Sequence, residues 1–566
     1  MNLKNSRIIA SIDNYSMIPG SPIAYWVPKA VFEDFVKFTP VSDIGEAKAG
    51  MTTGDNNRFL RLWFEVCQKK IGFHYANRDE ALLSKKKWFP YNKGGGFRKW
   101  YGLNEYVVLW ENDGSEIKNA TEKGRKIASV RSERLYFKQS ITWATLASNT
   151  ASCRFSEVGH LFDDKGSSCF MPEENLHYTL ALINSNVGNY FLQILNPTMS
   201  FQSGNIGALP IVTDCNEKND TVSLSKENIT ISKYDWDSLE SSWDFLIHPL
   251  TGGINMGRLI SDKYLEFENE CRRRFDKLKA NEEALNRIFI DIYGLQDELT
   301  PEVEDKDVTV RLADKERDIK SLISYLIGVI MGRYSLDVPG LAYAGGEWDV
   351  SKYLTYQPDD DGILPIYSKL GMEDSLTARI IGLIKQIYGA GTYRQNMDFI
   401  AEALGKNNNE SSEETLTRYL NDGFYADHLK IYQKRPIYWM FSSGKSGGFK
   451  CLVYMHRYTE DTLALINGKY FLPESTRLKN DIEELLSRIS TAEGRDKIRL
   501  EKERQKLAAA YNEAIEYGQV LDHMANKYIA IDLDDGVKVN YAKFQDVELV
   551  TDSGTKVKKD LLVPIK

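Results

Sequence analysis

Residues 84–114 read SKKKWFPYNKGGGFRKWYGLNEYVVLWENDG, and this stretch predicts strands in the first part of the chain. Within it, Tyr106–Trp110 is an unbroken apolar run that ends at the turn-forming residues Asn112–Gly114. Such a run, bounded by Asn, Asp and Gly, is typical of a β-strand followed by a turn. Similar runs alternate with Gly, Asn and Ser turns from about residue 18 to about residue 212. We therefore predict a mixed α/β domain with much sheet over residues 1–215.

The pattern becomes helical between Asp235 and Leu341. Apolar residues there follow spacings of three, four and seven, which places them on one face of a helix. They are Phe267, Cys271, Phe275, Leu278, Leu285, Phe289 and Ile292. We predict a helical spacer over residues 216–345, which ends at the glycine-rich segment Gly340–Gly346.

Residues 346–566 are predicted to form a mixed C-terminal domain, so that the whole chain is mixed α/β. Helices are expected around Ile380–Tyr388, and a strand is expected over Ile437–Phe441. Residues 405–414, which read GKNNNESSEE, are predicted to be a loop.

A long helical hairpin is predicted over about residues 474–528. Leucines and isoleucines recur there at helical spacing between charged residues, and Glu493-Gly494 marks the expected bend. Short strands that end in the basic patch Lys556, Lys558 and Lys559 are expected to follow.

The net charge of −8 is unevenly distributed along the 566 residues. Residues 1–210 hold 25 Lys and Arg against 20 Asp and Glu, whereas residues 211–566 hold 47 against 60. Such an asymmetry points to a polyanionic partner for the basic part. An apolar fraction of 42 % excludes a disordered chain. Six cysteines without a C-x-x-C pair, and no stretch near the roughly 20 apolar residues of a membrane span, predict a cytoplasmic protein without a membrane partner.

Motifs for catalysis are missing. Gly444-Lys445-Ser446 has Trp439 where a phosphate-binding P-loop needs glycine. Methylation of a base amine needs a Gly-rich strand-to-helix turn for S-adenosylmethionine and an Asn/Asp-Pro-Pro-Tyr loop. Asn196-Pro197-Thr198-Met199 lacks the second proline and the aromatic residue, and the histidines have no metal-site spacing. We therefore predict no catalytic residue, metal or cofactor on this chain.

The strongest positive signal lies between Arg58 and Lys99, where eleven Lys and Arg accompany three acids. Within it, residues 84–102 hold six cations, six aromatic residues and a glycine triplet, without an acid. Cations neutralise phosphates, exposed aromatic rings stack on unpaired bases, and glycines allow close approach of the backbone. The alternative is that Trp88, Phe89 and Trp100 belong to the core while the lysines are only solvated. Composition does not separate these two interpretations.

Two further stretches are candidates for nucleic-acid contacts. In Gly50–Phe59, two glycines bracket hydroxyl side chains ahead of amides, a cation and an aromatic ring, which suits hydrogen bonds to phosphates and base edges. The alternative there is an ordinary turn leading into a strand. Lys123–Lys138 holds six cations and one acid, and a solvated helix face explains it equally well.

Five longer stretches resemble PglX, the family of adenine-specific DNA methyltransferases of BREX phage-defence systems, and the resemblance extends from about residue 18 to about residue 528. They read GMTTGDNNRFLRLWFEV (50–66), KKWFPYNKGGGFRKWYG with VVLWENDG following (86–114), ALINSNVGNYFLQILNPTMSFQSGNIGALPI (181–211), ANEEALNRIFIDIYGLQDELT (280–300) and DHLKIYQKRPIYWMFSSGKSGGFKCLVYMHRY (427–458).

The resemblance implies that the missing motifs lie in a preceding methyltransferase domain. The chain would then be a truncated form, or the separate specificity half of a split enzyme, and S-adenosylmethionine would be a cofactor of the complete enzyme only. Residues 18–215 would form the target-recognition domain, the helical region a spacer, and the C-terminal domain would close around the duplex or contact other BREX proteins. Asn184 and Gln202 are expected to be structural.

The leading hypothesis is a DNA-binding target-recognition module for adenine methylation, with double-stranded DNA and a methyltransferase domain or other BREX proteins as partners. The predicted DNA-contacting residues are Thr52, Thr53, Asn56, Asn57, Arg58, Lys85, Lys86, Lys87, Tyr91, Lys93, Arg98 and Lys99. The alternative is a protein-interaction scaffold, in which the acidic part and the helical hairpin recruit BREX proteins and DNA binding is weak.

Overall fold

The structure is a computed structural model that describes residues 17–22, 26–146, 150–198, 200–252, 255–367, 374–550, 554 and 556–565. The chain divides into two compact units. Unit 1 comprises the chain up to Trp63, Lys69–Trp243 and Glu268–Leu312, and unit 2 comprises Phe64–Gln68, Asp244–Phe267 and the chain from Ala313 onward. The predicted mixed α/β class is confirmed. The three domains predicted from the sequence divide the chain differently, and they stay a prediction.

Unit 1 contains most of the short strands. Its strands are β1 Thr39–Pro40, β2 Glu46–Lys48, β3 Leu60–Leu62, β4 Trp88–Asn92, β5 Tyr106–Leu109, β6 Thr121–Glu122, β7 Arg125–Lys126, β8 Ser140–Trp143, β9 Cys153–Ser156, β10 Leu161–Phe162, β11 Ser168–Phe170 and β12 Pro210–Ile211. Its helices are α1 Lys29–Lys37, α2 Val41–Ile44, α3 Asn56–Phe59, α4 Arg78–Leu83, α5 Glu111–Lys118, α6 Glu173–Asn184, α7 Asn186–Leu195, α8 Ser203–Gly207 and α9 Lys218–Asp237. Helix α10, Ile260–Tyr293, begins in unit 2 and continues in unit 1.

Unit 2 is mainly helical. Its further helices are α11 Lys315–Ile330, α12 Leu376–Tyr388, α13 Tyr393–Ala403, α14 Ser412–Asp422, α15 Phe424–Ile431, α16 Thr462–Leu465, α17 Leu472–Thr491, α18 Gly494–Ala525 and α19 Gly536–Ala542, with a π-helical turn at Ile466–Phe471. Its strands are β13 Ile363–Pro365, β14 Tyr438–Ser442, β15 Lys450–Tyr454, β16 Val547–Val550 and β17 Lys556–Lys559. Single 3₁₀ turns lie at Trp63–Glu65, Gln68–Lys70, Glu133–Leu135, Asp305–Asp307, Val350–Lys352, Ala390–Thr392, Met455–Arg457 and Leu533–Asp535.

The central sheet of unit 1 has the strand order β10–β4–β5–β3. Strand β5 is antiparallel to β4 and β3, and β10 is parallel to β4. Trp88 pairs with Leu109 and Leu60 with Val108, so the starts of β4 and β3 lie at the same end of the sheet, which we call the Trp88 end. Phe162 pairs with Asn92 at the opposite end, the Asn92 end.

The predicted strand and turn in the opening stretch are confirmed. Strand β5 spans Tyr106–Leu109, and Asn112, Asp113 and Gly114 follow with φ of 51°, 58° and 69°. Asn, Asp and Gly are the residues that adopt this left-handed conformation most readily, so a turn of non-helical residues interrupts the beginning of α5.

A second sheet of unit 1, β2–β11–β8–β9, is antiparallel throughout, and β1 pairs with β12. The predicted helix face is confirmed in α10, where Phe275, Leu278 and Phe289 are buried. The Phe289 ring packs edge-on against Tyr178 of α6, with 5.5 Å between the ring centroids. The core of unit 1 therefore contains residues from both the strand-rich and the helical parts of the sequence.

In unit 2, β13, β15 and β14 form an antiparallel sheet, and α17 and α18 form the predicted helical hairpin. Gly494 begins α18 with φ of +59°, so the bend falls at Glu493-Gly494 as expected. The predicted loop over residues 405–414 is wrong at its end, because Ser411 caps α14. Its hydroxyl accepts from the Glu414 N–H, and Glu414 accepts from the Ser411 N–H, so the S-x-x-E sequence begins a helix.

Candidate nucleic-acid interface

The aromatic residues of the cationic stretch belong to the core. Trp88, Phe89, Tyr91 and Trp100 are each at most 2 % exposed. All five residues of β4 are buried. These rings are therefore not available to stack on bases in this structure, and the alternative that Trp88, Phe89 and Trp100 are core residues is confirmed. Phe97 is the exposed aromatic residue of this stretch, with 42 % exposure.

Lysines collect at the Trp88 end of the central sheet. Lys86 donates from Nζ to the Lys69 carbonyl, and the Lys87 N–H donates to the Lys70 carbonyl at 3.0 Å. These contacts join two segments that are separate in sequence. We call the resulting group the lysine edge; its members are Lys69, Lys70, Lys85, Lys86 and Lys87.

The lysine edge is accessible to a ligand. Lys69, Lys70 and Lys85 are exposed, and Lys86 and Lys87 are partly exposed. Among the described residues, Lys85 and Lys86 have no acidic partner. A cluster of solvent-accessible ammonium groups is the arrangement that attracts phosphates.

The turn before β3 is held by its own side chains. Asp55 caps α3 by accepting from the Arg58 N–H at 3.1 Å. Thr53 is buried and donates from its hydroxyl to the Asn56 side-chain oxygen at 2.7 Å. Thr52 and Asn57 are exposed. The short polar side chains thus fix the turn, and Thr52, Asn56 and Asn57 are exposed.

Arg58 is only partly available. Its guanidinium makes an ion pair with Glu116 of α5 at 2.7 Å, and both side chains are about half exposed. An exposed pair of this kind contributes little free energy, so the arginine can exchange its partner at small cost.

The sheet register brings two predicted groups to the same end. Helix α3 directly precedes Leu60, and Lys85–Lys87 directly precede Trp88, at the Trp88 end of the sheet. Strands β3 and β4 are separated there by β5, which corresponds to two strand spacings, or about 10 Å. Asn56, Asn57 and Arg58 therefore lie close enough to the lysine edge to contact the same duplex.

Lys93 and Tyr91 lie at or near the Asn92 end instead. Lys93 pairs with Asp163 at 2.5 Å, and the buried Tyr91 hydroxyl donates to the same carboxylate at 2.9 Å. Burial raises the pKa of Asp163, and the hydrogen bond from Lys93 partly offsets this rise. The five residues of β4 separate Lys93 from Lys87, a distance of about 20 Å along the strand. The stretch of residues 84–102 is thus not one site.

Arg98 and Lys99 are buried in ion pairs with acids of this chain. Their prediction as phosphate contacts is therefore corrected. Lys99 pairs with Glu282 of α10, which also accepts from the Trp100 indole N–H at 2.6 Å. Arg98 donates to Asp235 of α9 at 3.0 Å, and its remaining donors bind main-chain carbonyls. Both cations anchor the chain to long helices, and a phosphate cannot reach either of them in this structure.

Two more cations form a network with acids near the Trp88 end. Arg78 and Lys118 each pair with both Asp113 and Glu133. Burial raises the pKa of Asp113, but hydrogen bonds from Arg78 and Lys118 outweigh that effect and hold it below its usual value. At least five of the eleven cations between Arg58 and Lys99 are therefore paired with described acids from outside that segment; they are Arg58, Arg78, Lys93, Arg98 and Lys99.

Asn184 and Gln202 are structural, as expected. The Asn184 amide accepts from the Cys153 N–H at 2.8 Å and donates to the Cys153 carbonyl at 3.0 Å, which fixes β9 to the end of α6. Gln202 caps α8 in a reciprocal pair with Asn205.

Neither glycine run has the geometry of an S-adenosylmethionine loop. Gly94–Gly96 leads from β4 into the buried Arg98–Trp100 segment, and Gly444–Gly448 joins β14 to β15. The Glu513 carboxylate occupies the second loop, where it accepts from the Ser446 N–H at 2.9 Å. Neither run is a turn from a strand into a helix, and in the second the Ser446 N–H is already bound by Glu513, so these residues do not fit the cofactor.

Two general features of the described residues bear on function. None of their helices combines the length and the apolar character that crossing a bilayer requires. In the same ranges, no three His, Cys, Asp or Glu side chains come close enough together to hold a metal ion.

Comparison with known proteins gives two homologues. The adenine-specific methyltransferase PglX of Lacticaseibacillus casei (strain Zhang) is 42 % identical over 557 residues, which cover 95 % of this chain and 45 % of that protein. The adenine-specific methyltransferase BrxX of Escherichia coli O9:H4 (strain HS) is 35 % identical over 566 residues, which cover 94 % and 45 %. The chain is thus homologous to adenine-specific methyltransferases and spans less than half the length of these curated relatives. No family model matches it.

Proposed function

We propose that this chain is the DNA target-recognition portion of an adenine-specific DNA methyltransferase of the BREX phage-defence type. In this proposal unit 1 binds double-stranded DNA, and methyl transfer takes place on a domain outside this sequence. Homology to PglX and BrxX over nearly the whole chain supports the enzyme class.

The observation that carries the proposal is the juxtaposition at the Trp88 end of the central sheet. The lysine edge supplies ammonium groups for phosphates, and α3 presents Asn57 and Arg58 about 10 Å away. Phosphate contacts set the position of the protein on the duplex, whereas amides and hydroxyls read base edges. We assign phosphate binding to the lysine edge and base readout to Thr52, Asn56, Asn57 and Arg58.

The proposed phosphate binding by the lysine edge is tested by changing Lys85, Lys86 and Lys87 together to Ala. Loss of three phosphate contacts should weaken binding to every duplex and flatten the slope of log K against log salt by about 2.7. Fluorescence anisotropy with a labelled duplex of mixed sequence, over a salt series, measures both quantities.

A matched control removes the same charge elsewhere. Lys479, Lys497 and Lys502 are exposed on α17 and α18, and no ion pair is found for them among the described residues. Their joint change to Ala should leave affinity and salt slope unchanged. Equal effects from both triple variants would show that only net charge matters, and no effect from the lysine-edge variant would refute the assignment.

Base readout is tested separately by Asn57→Ala. Within the described ranges no side-chain contact of the exposed Asn57 is found, so the variant should fold and should bind duplex with nearly the same salt slope but relaxed sequence preference. Selection of bound sequences from a random duplex pool measures that preference. An unchanged selected motif would remove Asn57 from the recognition surface.

S-adenosylmethionine is proposed as a cofactor of the complete enzyme, bound outside this chain. Incubation of the chain with the cofactor and duplex DNA is expected to give no methyl transfer. A measurable rate would contradict the proposed division between recognition and catalysis.

A second candidate function is a protein-interaction scaffold for BREX components. The observation that favours it is the helical hairpin, where Ile498 is 72 % exposed and Leu486 49 % exposed, because large apolar side chains on a hairpin surface are a feature of protein contacts. A gel shift at physiological salt discriminates the two functions, since a scaffold would leave the duplex unshifted while still retaining partner proteins.

A further inference from the structure

Residues 121–126 form an exposed basic β-hairpin. Strands β6 and β7 pair Thr121 with Lys126 and Glu122 with Arg125. The two turn residues, Lys123 and Gly124, have φ of 48° and 75°. Positive φ at both positions defines the tight turn whose twist matches that of the paired strands. The solvated helix face considered from the sequence is therefore wrong for this part of Lys123–Lys138.

The charges of this hairpin face solvent. All six residues are exposed. Within the part of the chain that the structure describes, Lys123, Arg125 and Lys126 have no acidic partner, and Glu122 is the one acid of the hairpin. This differs from Arg58, Arg78, Lys93, Arg98 and Lys99, all of which are ion-paired.

The hairpin is fixed to the turn that carries the proposed base-reading residues. Thr52 and Ser129 exchange two main-chain hydrogen bonds of 2.9 and 2.8 Å. A side chain at Gly54 would collide with the Ile127 carbonyl, at 2.5 Å, so these two segments are in close contact. The cations of the hairpin thus belong to the same surface as Thr52.

We propose that this hairpin is a second DNA-contacting element, which lies in the major groove and pairs Lys123, Arg125 and Lys126 with phosphates; the proposal rests on the DNA-binding function proposed above. The major groove, about 12 Å wide, admits a two-stranded β-ribbon, whereas the minor groove, about 6 Å wide, does not. Two residues per strand and a two-residue turn extend about 10 Å, close to the depth of the major groove.

The test changes Lys123, Arg125 and Lys126 together to Ala and measures anisotropy with the mixed-sequence duplex over a salt series. We expect an affinity loss on the order of tenfold or more and a salt slope flatter by about 2.7. The triple change of Lys479, Lys497 and Lys502 to Ala is the matched control, and it should change neither quantity. Because the hairpin is exposed and makes no core contact, the variant should fold normally, which circular dichroism checks.

A second variant keeps the charge. Exchange of the three cations for the other basic residue, as Lys123→Arg, Arg125→Lys and Lys126→Arg, should retain both affinity and salt slope. The major-groove ligand methyl green should compete with the wild-type chain more strongly than the minor-groove ligand netropsin.

The outcomes separate this inference from the proposed function. If the hairpin alanine variant binds like wild type while the lysine-edge variant is weakened, the hairpin assignment is overturned and DNA recognition stands. Competition by netropsin alone would likewise overturn the major-groove placement. If the wild-type chain does not bind the duplex at all, both proposals fail.

Discussion

Lys85–Lys87 and Arg98–Lys99 belong to one acid-free stretch, but the structure treats them in opposite ways. The first group is exposed or partly exposed beside the start of a buried strand. The second group is buried, with Arg98 on Asp235 and Lys99 on Glu282. The counterions of the second group come from helices that follow more than 130 residues later. Cations that are neighbours in sequence are therefore divided between surface and interior by the tertiary structure, which buries Arg98 and Lys99 against acids of distant helices.

The largest effect should come from breaking a buried pair. Glu282→Gln leaves the Lys99 ammonium buried without its counterion, so the free energy of unfolding should fall by about 3–5 kcal/mol. Gln still accepts from the Trp100 indole N–H, so the change isolates the charge. Urea denaturation followed by tryptophan fluorescence measures the loss.

The double variant Lys99→Met with Glu282→Gln tests the reason for that loss. Replacing a buried pair by a less polar one is often neutral, so most of the stability should return. If Glu282→Gln cost less than 1 kcal/mol, the burial of Lys99 would not hold in solution.

Unit 2 buries three histidines as neutral side chains, whereas unit 1 buries Arg98 and Lys99 in ion pairs. Burial lowers the pKa of His248 to about 3, and burial together with the Arg333 charge lowers those of His428 and His456 to about 3. An unfolded histidine takes up its proton near pH 6.5, whereas these remain neutral in the folded unit. The stabilising contribution of these neutral histidines is therefore full above pH 6.5 and is lost as the pH decreases toward 3, by about 2 kcal/mol for each histidine at pH 5.

His456→Gln tests this pH dependence. The glutamine amide can replace His456 Nε2 at the Val66 carbonyl, which lies 3.3 Å away. The difference in unfolding free energy between pH 6.5 and pH 5 should then be smaller by about 2 kcal/mol. An identical pH profile for wild type and variant would contradict the neutral state of His456.

The smallest effect on the free energy of unfolding is expected for changes at Lys85–Lys87. Each single change of Lys85, Lys86 or Lys87 to Ala should alter the free energy of unfolding by no more than about 0.5 kcal/mol, since these side chains lie at the surface. The same urea series measures it. A loss similar to that of Glu282→Gln would mean that these lysines are structural and would weaken the proposal for the lysine edge.

Much of the secondary structure followed from local patterns. Strand β5, the Asn112–Gly114 turn, the apolar face of α10 and the bend at Gly494 agree with prediction because each depends on neighbouring residues only. The capping box at Ser411 is equally local, because its S-x-x-E pattern is contained in four residues, although the polar composition around it favours a loop. The β6–β7 hairpin is harder to predict from the sequence, since Lys123 is not a typical residue for its turn.

The sequence predicts only part of the candidate DNA-binding site. Composition alone predicts candidate DNA contacts among the hydroxyl, amide and basic side chains of residues 52–58 and 85–87. The register of the central sheet brings α3 and Lys85–Lys87 to one end. Lys93, Arg98 and Lys99 have the same composition but pair with Asp163, Asp235 and Glu282. No local pattern contains that information, because an ion pair depends on which distant segments meet.

By itself the sequence determined the mixed α/β class, strand β5, the apolar face of α10, the α17–α18 hairpin, and the concentration of positive charge in the first part of the chain, since these follow from periodicity and composition. Only the tertiary structure decided which cations face solvent, because burial and pairing depend on contacts between segments far apart in the chain. It selected the lysine edge and the hairpin at residues 121–126, and it placed Arg98 and Lys99 in the interior.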